Sequence, residues 1–200
     1  MFSRFQTTLT MSIRAILLLF LGGGALAAEE AHVHISEANG YRYFVSDGLP
    51  NHDTGAFPNR NNPNRIQLQY HRFRVPISPV AEEESAPYFL MPFGVALNGI
   101  PFDPGAAEFW NGDRNWQYEA LNGVVNLGLD MNNAHVQPTG AYHYHGQPTG
   151  LITSLGKDSG MLLLGFAADG FPIYANRGFK DASDPKSALV EAAFSLDGEA

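Results

Sequence analysis

The 200-residue chain contains no cysteine. That removes thiolate metal sites, cysteine nucleophiles and dithiol redox pairs from consideration. Any metal ion must take nitrogen or oxygen ligands. An oxidising compartment stays open, since it permits disulfides without demanding them. Positive charge is also scarce. Twelve Lys and Arg stand against twenty Asp and Glu, for a formal net charge of −8. Nucleic acid binding needs clustered basic side chains, so no nucleic-acid partner is expected. Electrostatic attachment to anionic lipid is disfavoured for the same reason. Known catalytic signatures are missing too. There is no Gly-x-Ser-x-Gly elbow, no His-Glu-x-x-His and no glycine-rich phosphate loop with its lysine.

Long apolar runs are nearly absent. The conspicuous one, Ala15–Leu21, is too short to read as a membrane span. Arg4 and Arg14 precede it, and Gly22–Gly24 with Ala25-Leu26-Ala27 follow. A positive segment, a short apolar segment and small residues at the end make a secretory signal peptide over 1–27. The alternative is an uncleaved N-terminal anchor. Cleavage after Ala27 predicts a secreted or periplasmic protein, more acidic still, with no membrane contact afterwards.

What remains is rich in aromatics and punctuated by Gly, Pro and Asn. Tyr41–Val45 is aromatic and β-branched and reads as a strand. Leu49–Asn64 is dense in turn residues and reads as loop. Over Arg65–Val75, Ile66, Leu68 and Tyr70 alternate with Gln67, Gln69 and His71, the period of a half-buried strand, with His71 on its polar face. Phe89–Leu97 is a further strand, closed by Asn98-Gly99, a hairpin turn signal. Met161–Phe166 is short, apolar and bounded by turns, as in a strand buried on both faces. These segments predict an all-β domain over 28–186, mainly β with short helices, built as a sandwich or irregular barrel. Residues 187–200 read as a short acidic, alanine-rich tail able to form a helix.

The chemistry concentrates in Gly140-Ala141-Tyr142-His143-Tyr144-His145-Gly146. Side chains alternate across a strand, so His143 and His145 share one face and the two tyrosines the other. Imidazoles at i and i+2 converge on one ion, and neutral imidazole suits zinc and copper. His135 lies just upstream. Three of the seven histidines thus fall within residues 135–145. The competing reading is structural, since His and Tyr also suit half-buried strands where the ring packs and its tip finds a hydrogen bond. His32-Val33-His34 is a second His-x-His, near a free end where a frayed strand is the simpler account.

Tyr142-His143-Tyr144-His145 resembles the signature of the YHYH proteins, a group of mostly exported bacterial proteins. Other segments are similar to that family as well. They are Asn51-His52-Asp53-Thr54-Gly55 with Phe57-Pro58-Asn59, Asn98-Gly99-Ile100-Pro101-Phe102, Asn133-Ala134-His135, Gly146-Gln147-Pro148-Thr149-Gly150, and Ala168-Asp169-Gly170-Phe171-Pro172-Ile173-Tyr174. Together they cover roughly residues 45–178. The resemblance implies an exported domain of this family and no particular reaction. It brings the loop residue His52 into the candidate ligand set beside His143, His145 and His135. It also implies further domain beyond this point, so that the chain reads as either a short variant or a truncated one.

Three functions follow. The first is an exported domain binding zinc or copper through these histidines. The second is a metal-dependent hydrolase on the same site, with Asp169 or Asp130 as the general base. The third is a module binding a glycan or other partner, with structural histidines. Trp110 and Trp116 read first as core anchors, yet they are the best argument for the glycan alternative. Asp169 also reads as a turn residue bonding its own backbone.

Overall fold

The computed structural model describes residues 33–84, 92–156 and 161–191, save 182, 185 and 188. The signal peptide expected over 1–27 and most of the tail expected over 187–200 lie outside the described residues. The first sheet is a meander of β1 (Val33–Ala38), β2 (Tyr41–Ser46) and β3 (His71–Pro76), all antiparallel. Then come β4 (Gly94–Ala96), β5 (Pro101–Phe102), β6 (Gly105–Phe109), β7 (Gln117–Glu119), β8 (Ala134–Val136) and β9 (Tyr142–Tyr144). One α-helix, α1 (Thr149–Leu155), precedes β10 (Leu163–Ala167), β11 (Pro172–Tyr174), β12 (Arg177–Phe179) and β13 (Leu189–Glu191). The architecture is mainly β, in several sheets, with no closed barrel among the described residues.

The central sheet has the order β11-β10-β4-β5-β9-β8. Its pairs are antiparallel except β5–β9, where Phe102 lies opposite Tyr144 in a parallel register. A parallel neighbour requires a crossover rather than a tight turn. The chain makes it through the β6–β7 hairpin and β8. As a consequence, the segment leaving β5 emerges beside the segment leaving β9.

Local chemistry explains the joints. Asn98-Gly99 turns β4 into β5, with Gly99 at φ +79 and the Gly99 amide donating to the Ala96 carbonyl at 2.8 Å. Only glycine enters that region without a Cβ penalty. β8 and β9 are joined by residues 137–141. There the Gln137 amide donates to the Ala141 carbonyl, and Gly140 takes φ +86. The core forms around this strand pair. Tyr142 and Tyr144 are fully buried, packed with Ile100, Val136, Leu151 and Leu164.

Several expectations need correction. The alternation over 65–75 yields a strand only from His71 onward. Leu68 and Tyr70 are exposed, since 65–70 pairs with no full ladder and is held instead by isolated bonds such as Gln67 N–H to the Gly140 carbonyl. Trp110 and Trp116 are surface residues, not core anchors. Residues 189–191, expected within a helical tail, form a strand against β12. His71 is half-buried beside Phe73 rather than freely exposed, and that burial lowers its pKa.

Candidate metal centre

The strand β9 is buried on both faces, and its alternation sorts two chemistries. One face carries His143, continued by His145 just past the strand end. The antiparallel register of β8 sets His135 directly opposite His143. The His145 amide donates to the Asn133 carbonyl at 2.7 Å, which keeps the chain extended past Tyr144. The three imidazoles form a triangle with all ring centroids 4.7 Å apart. One ring nitrogen from each lies within 4.8 Å of the others, so the three could hold a metal ion between them.

The tautomers are preset. The His135 Nδ1–H donates to the Leu127 carbonyl at 2.8 Å, and the His143 Nδ1–H donates to the Ala141 carbonyl at 3.3 Å. A carbonyl only accepts, so each Nδ1 carries the proton and each Nε2 keeps its lone pair. Backbone anchoring of one ring nitrogen is the usual way a ligating histidine is oriented. His145 differs. Neither of its buried ring nitrogens completes a hydrogen bond of normal distance and angle among the described residues, although the Pro104 carbonyl lies near enough to act on the ring.

Burial pulls the His143 pKa down to about 3, and the proximity of His145 and His135 adds to this against a small opposing effect of the Ala141 carbonyl. Burial and His135 pull His145 down to about 4, with the Pro104 carbonyl acting weakly the other way. At neutral pH these rings are therefore uncharged, the form that ligates metal.

A cavity of about 370 Å³ opens in front of the triangle. Its walls include Asn62, Asn64, Asp103 and Glu108, with no lysine or arginine. Asp103 follows β5, and its amide donates to the Tyr144 carbonyl at 2.8 Å. Burial raises its carboxyl pKa, while the nearby His135 opposes the shift. Asp103 stands outside the 4.8 Å ligand group. Asp103-Pro104-Gly105 has the residue types of a turn; the parallel β5–β9 pairing brings Asp103 to the wall of the histidine cavity. On its other side, His145 borders a larger, mostly apolar cleft of about 960 Å³, walled by Phe93, Phe102, Leu164, Ile173 and Tyr174.

The structure sets the other candidates apart. His52 lies on the tyrosine face of β9. Its Nε2 accepts the Tyr144 hydroxyl at 2.6 Å, while its Nδ1–H donates to the Asp53 carbonyl at 3.0 Å. Both nitrogens are thus engaged away from the triangle. Asp130 accepts from the Tyr142 hydroxyl at 2.7 Å, the Gly55 amide at 3.0 Å and the Asn132 amide at 2.8 Å. It organises loops and does not line the cavity. Asp169 is exposed and accepts the Phe171 amide at 3.3 Å, a turn residue far from the imidazoles in the fold's pairing order.

A mainly β fold with a buried three-imidazole centre on adjacent strands is the class that these features define. The family model described as YHYH protein matches residues 72–198, and the chain belongs to that family. The match continues past the motif that ends at Tyr174 and into the segment expected to be a tail. No curated protein and no solved structure matches the chain.

Proposed function

We propose that this is an exported domain that binds one zinc or copper ion through Nε2 of His135 and His143 and a ring nitrogen of His145. The observation that carries the reading is the cost of the triangle without an ion. Three imidazoles are packed ring to ring, and neither nitrogen of the buried His145 completes a hydrogen bond of normal geometry. An unsatisfied buried polar group costs about 1–3 kcal/mol. A metal ion satisfies all three lone pairs at once. The donor set fits, because nitrogen ligands on rigid strands suit zinc and copper alike.

An ion held by these three histidines would lie beside the cavity that they line, and would supply Lewis acidity there. Asp103 and Glu108 make that approach negative, which favours entry of a cation. Export rests on the leader sequence of residues 1–27. Isothermal titration of zinc and of copper into chelator-treated protein tests the reading. Saturation near one ion per chain, abolished in H135A and in H143A, supports it. Heat that persists unchanged in both variants overturns it.

A further inference from the structure

We propose that the β6–β7 hairpin is a platform for a neutral polysaccharide, with Trp110 and Trp116 as its stacking surface. Both indoles are unusually open, at 54% and 65% exposed. Neither joins a core cluster. Exposed indoles on one hairpin tip offer flat apolar area with a polar N–H, the kind of surface that interfaces favour.

The two residues face each other across the backbone at the base of the hairpin tip. Phe109 pairs with Gln117 across the hairpin, so Trp110 and Trp116 are the next opposed residues. Trp110 opens a 3-10 turn over Trp110–Gly112, in which Asn111 takes φ 50. The Trp110 amide donates to the Trp116 carbonyl at 2.8 Å and closes that pair. The tip is hydrogen-bonded within itself as well. The Asp113 amide donates to the Trp110 carbonyl, the Trp116 amide to the Asp113 carbonyl, and Asp113 Oδ1 accepts both the amide and the side chain of Asn115. A surface ordered before binding loses less entropy on binding.

The surrounding chemistry selects the ligand. Asn111, Asp113 and Asn115 lie between the two tryptophans in the chain and supply amide and carboxylate groups able to bond hydroxyls. Arg114, the tip's one cation, lies over the Phe109 ring. Glu108 and Glu119 flank the tip, so an anionic polymer or anionic lipid is repelled. A sugar ring offers an apolar C–H face to an indole and hydroxyls at its rim, which matches this arrangement. The hairpin also reaches the imidazole cavity, since Gly105–Glu108 of β6 forms one of its walls.

The test is a depletion assay of the purified protein against insoluble cellulose, chitin, xylan and β-1,3-glucan, with W110A, W116A and the double variant. Both side chains are at the surface, so the variants should keep the far-UV spectrum, melting temperature and metal content. The expected result is retention on at least one polymer, weakened about tenfold or more in the double variant. Three outcomes overturn the proposal. One is no retention on any polymer. Another is retention that the double variant leaves undiminished. The third is binding instead to phosphatidylcholine vesicles, or a concentration-dependent dimer, that the double variant abolishes. None of these bears on metal binding, which is read separately.

Discussion

The Tyr144 hydroxyl donates to His52 Nε2 across 2.6 Å and accepts from Asn98 Nδ2 at 2.9 Å. This buried contact spans 92 residues of sequence and lies on the face of β9 opposite the imidazole triangle. It pins the strand from behind. His143 and His145 can hold one geometry because the residue between them cannot turn.

His52 is therefore expected to act on stability rather than on ligation. H52A leaves the buried Tyr144 hydroxyl without its acceptor, at a cost of about 1–3 kcal/mol. Metal stoichiometry should stay unchanged. Urea unfolding together with metal analysis checks both halves. A stable H52A protein that has lost its metal would make His52 a ligand after all.

Asp130 should matter more. It receives the Tyr142 hydroxyl and the backbone amides of Gly55 and Asn132. D130A orphans these donors together, and a loss of about 3 kcal/mol or more is expected from bonds to a charged acceptor. D169A, at an exposed turn, should stay within about 0.5 kcal/mol. Thermal melts of the two variants side by side decide the ranking.

The metal-free protein should lose stability as acid is added. His143 and His145 have folded pKa values of about 3 and 4, against 6.5 for the free ring. Below pH 6.5 the unfolded chain takes up protons that the folded chain refuses, so the equilibrium moves toward unfolding. Their contribution is full above about pH 6.5 and declines as pH falls toward 4. In the presence of chelator, the urea midpoint should fall over this range more steeply in the wild type than in H143A/H145A. Equal slopes would show that the rings are not buried as described. Added zinc should raise the midpoint at neutral pH, because an ion held only by the folded form stabilises it.

The site was half legible in the sequence. The i, i+2 spacing put His143 and His145 on one face, because strand alternation is a local rule. His135 was found by proximity in sequence, and the β8–β9 register made that proximity real. His52 lies on the other face of β9, because a family segment tells which residue types recur and not which face of a strand a distant loop approaches. Asp103 was missed for a topological reason. Its place depends on the parallel pairing of Phe102 with Tyr144, which no short-range pattern encodes. The fold class was legible from turns and short strands. The exposed Trp110 and Trp116 were not, since composition cannot separate a buried indole from a displayed one.

The most direct measurement is the metal content of protein purified without chelator or affinity tag, by elemental mass spectrometry, beside H143A/H145A. The account predicts about one equivalent of zinc or copper per chain, lost in the double variant while its far-UV spectrum is kept. A wild-type protein that carries no metal, and takes up none on incubation with either ion, would contradict it. The imidazole triangle would then be a packing feature of β8 and β9.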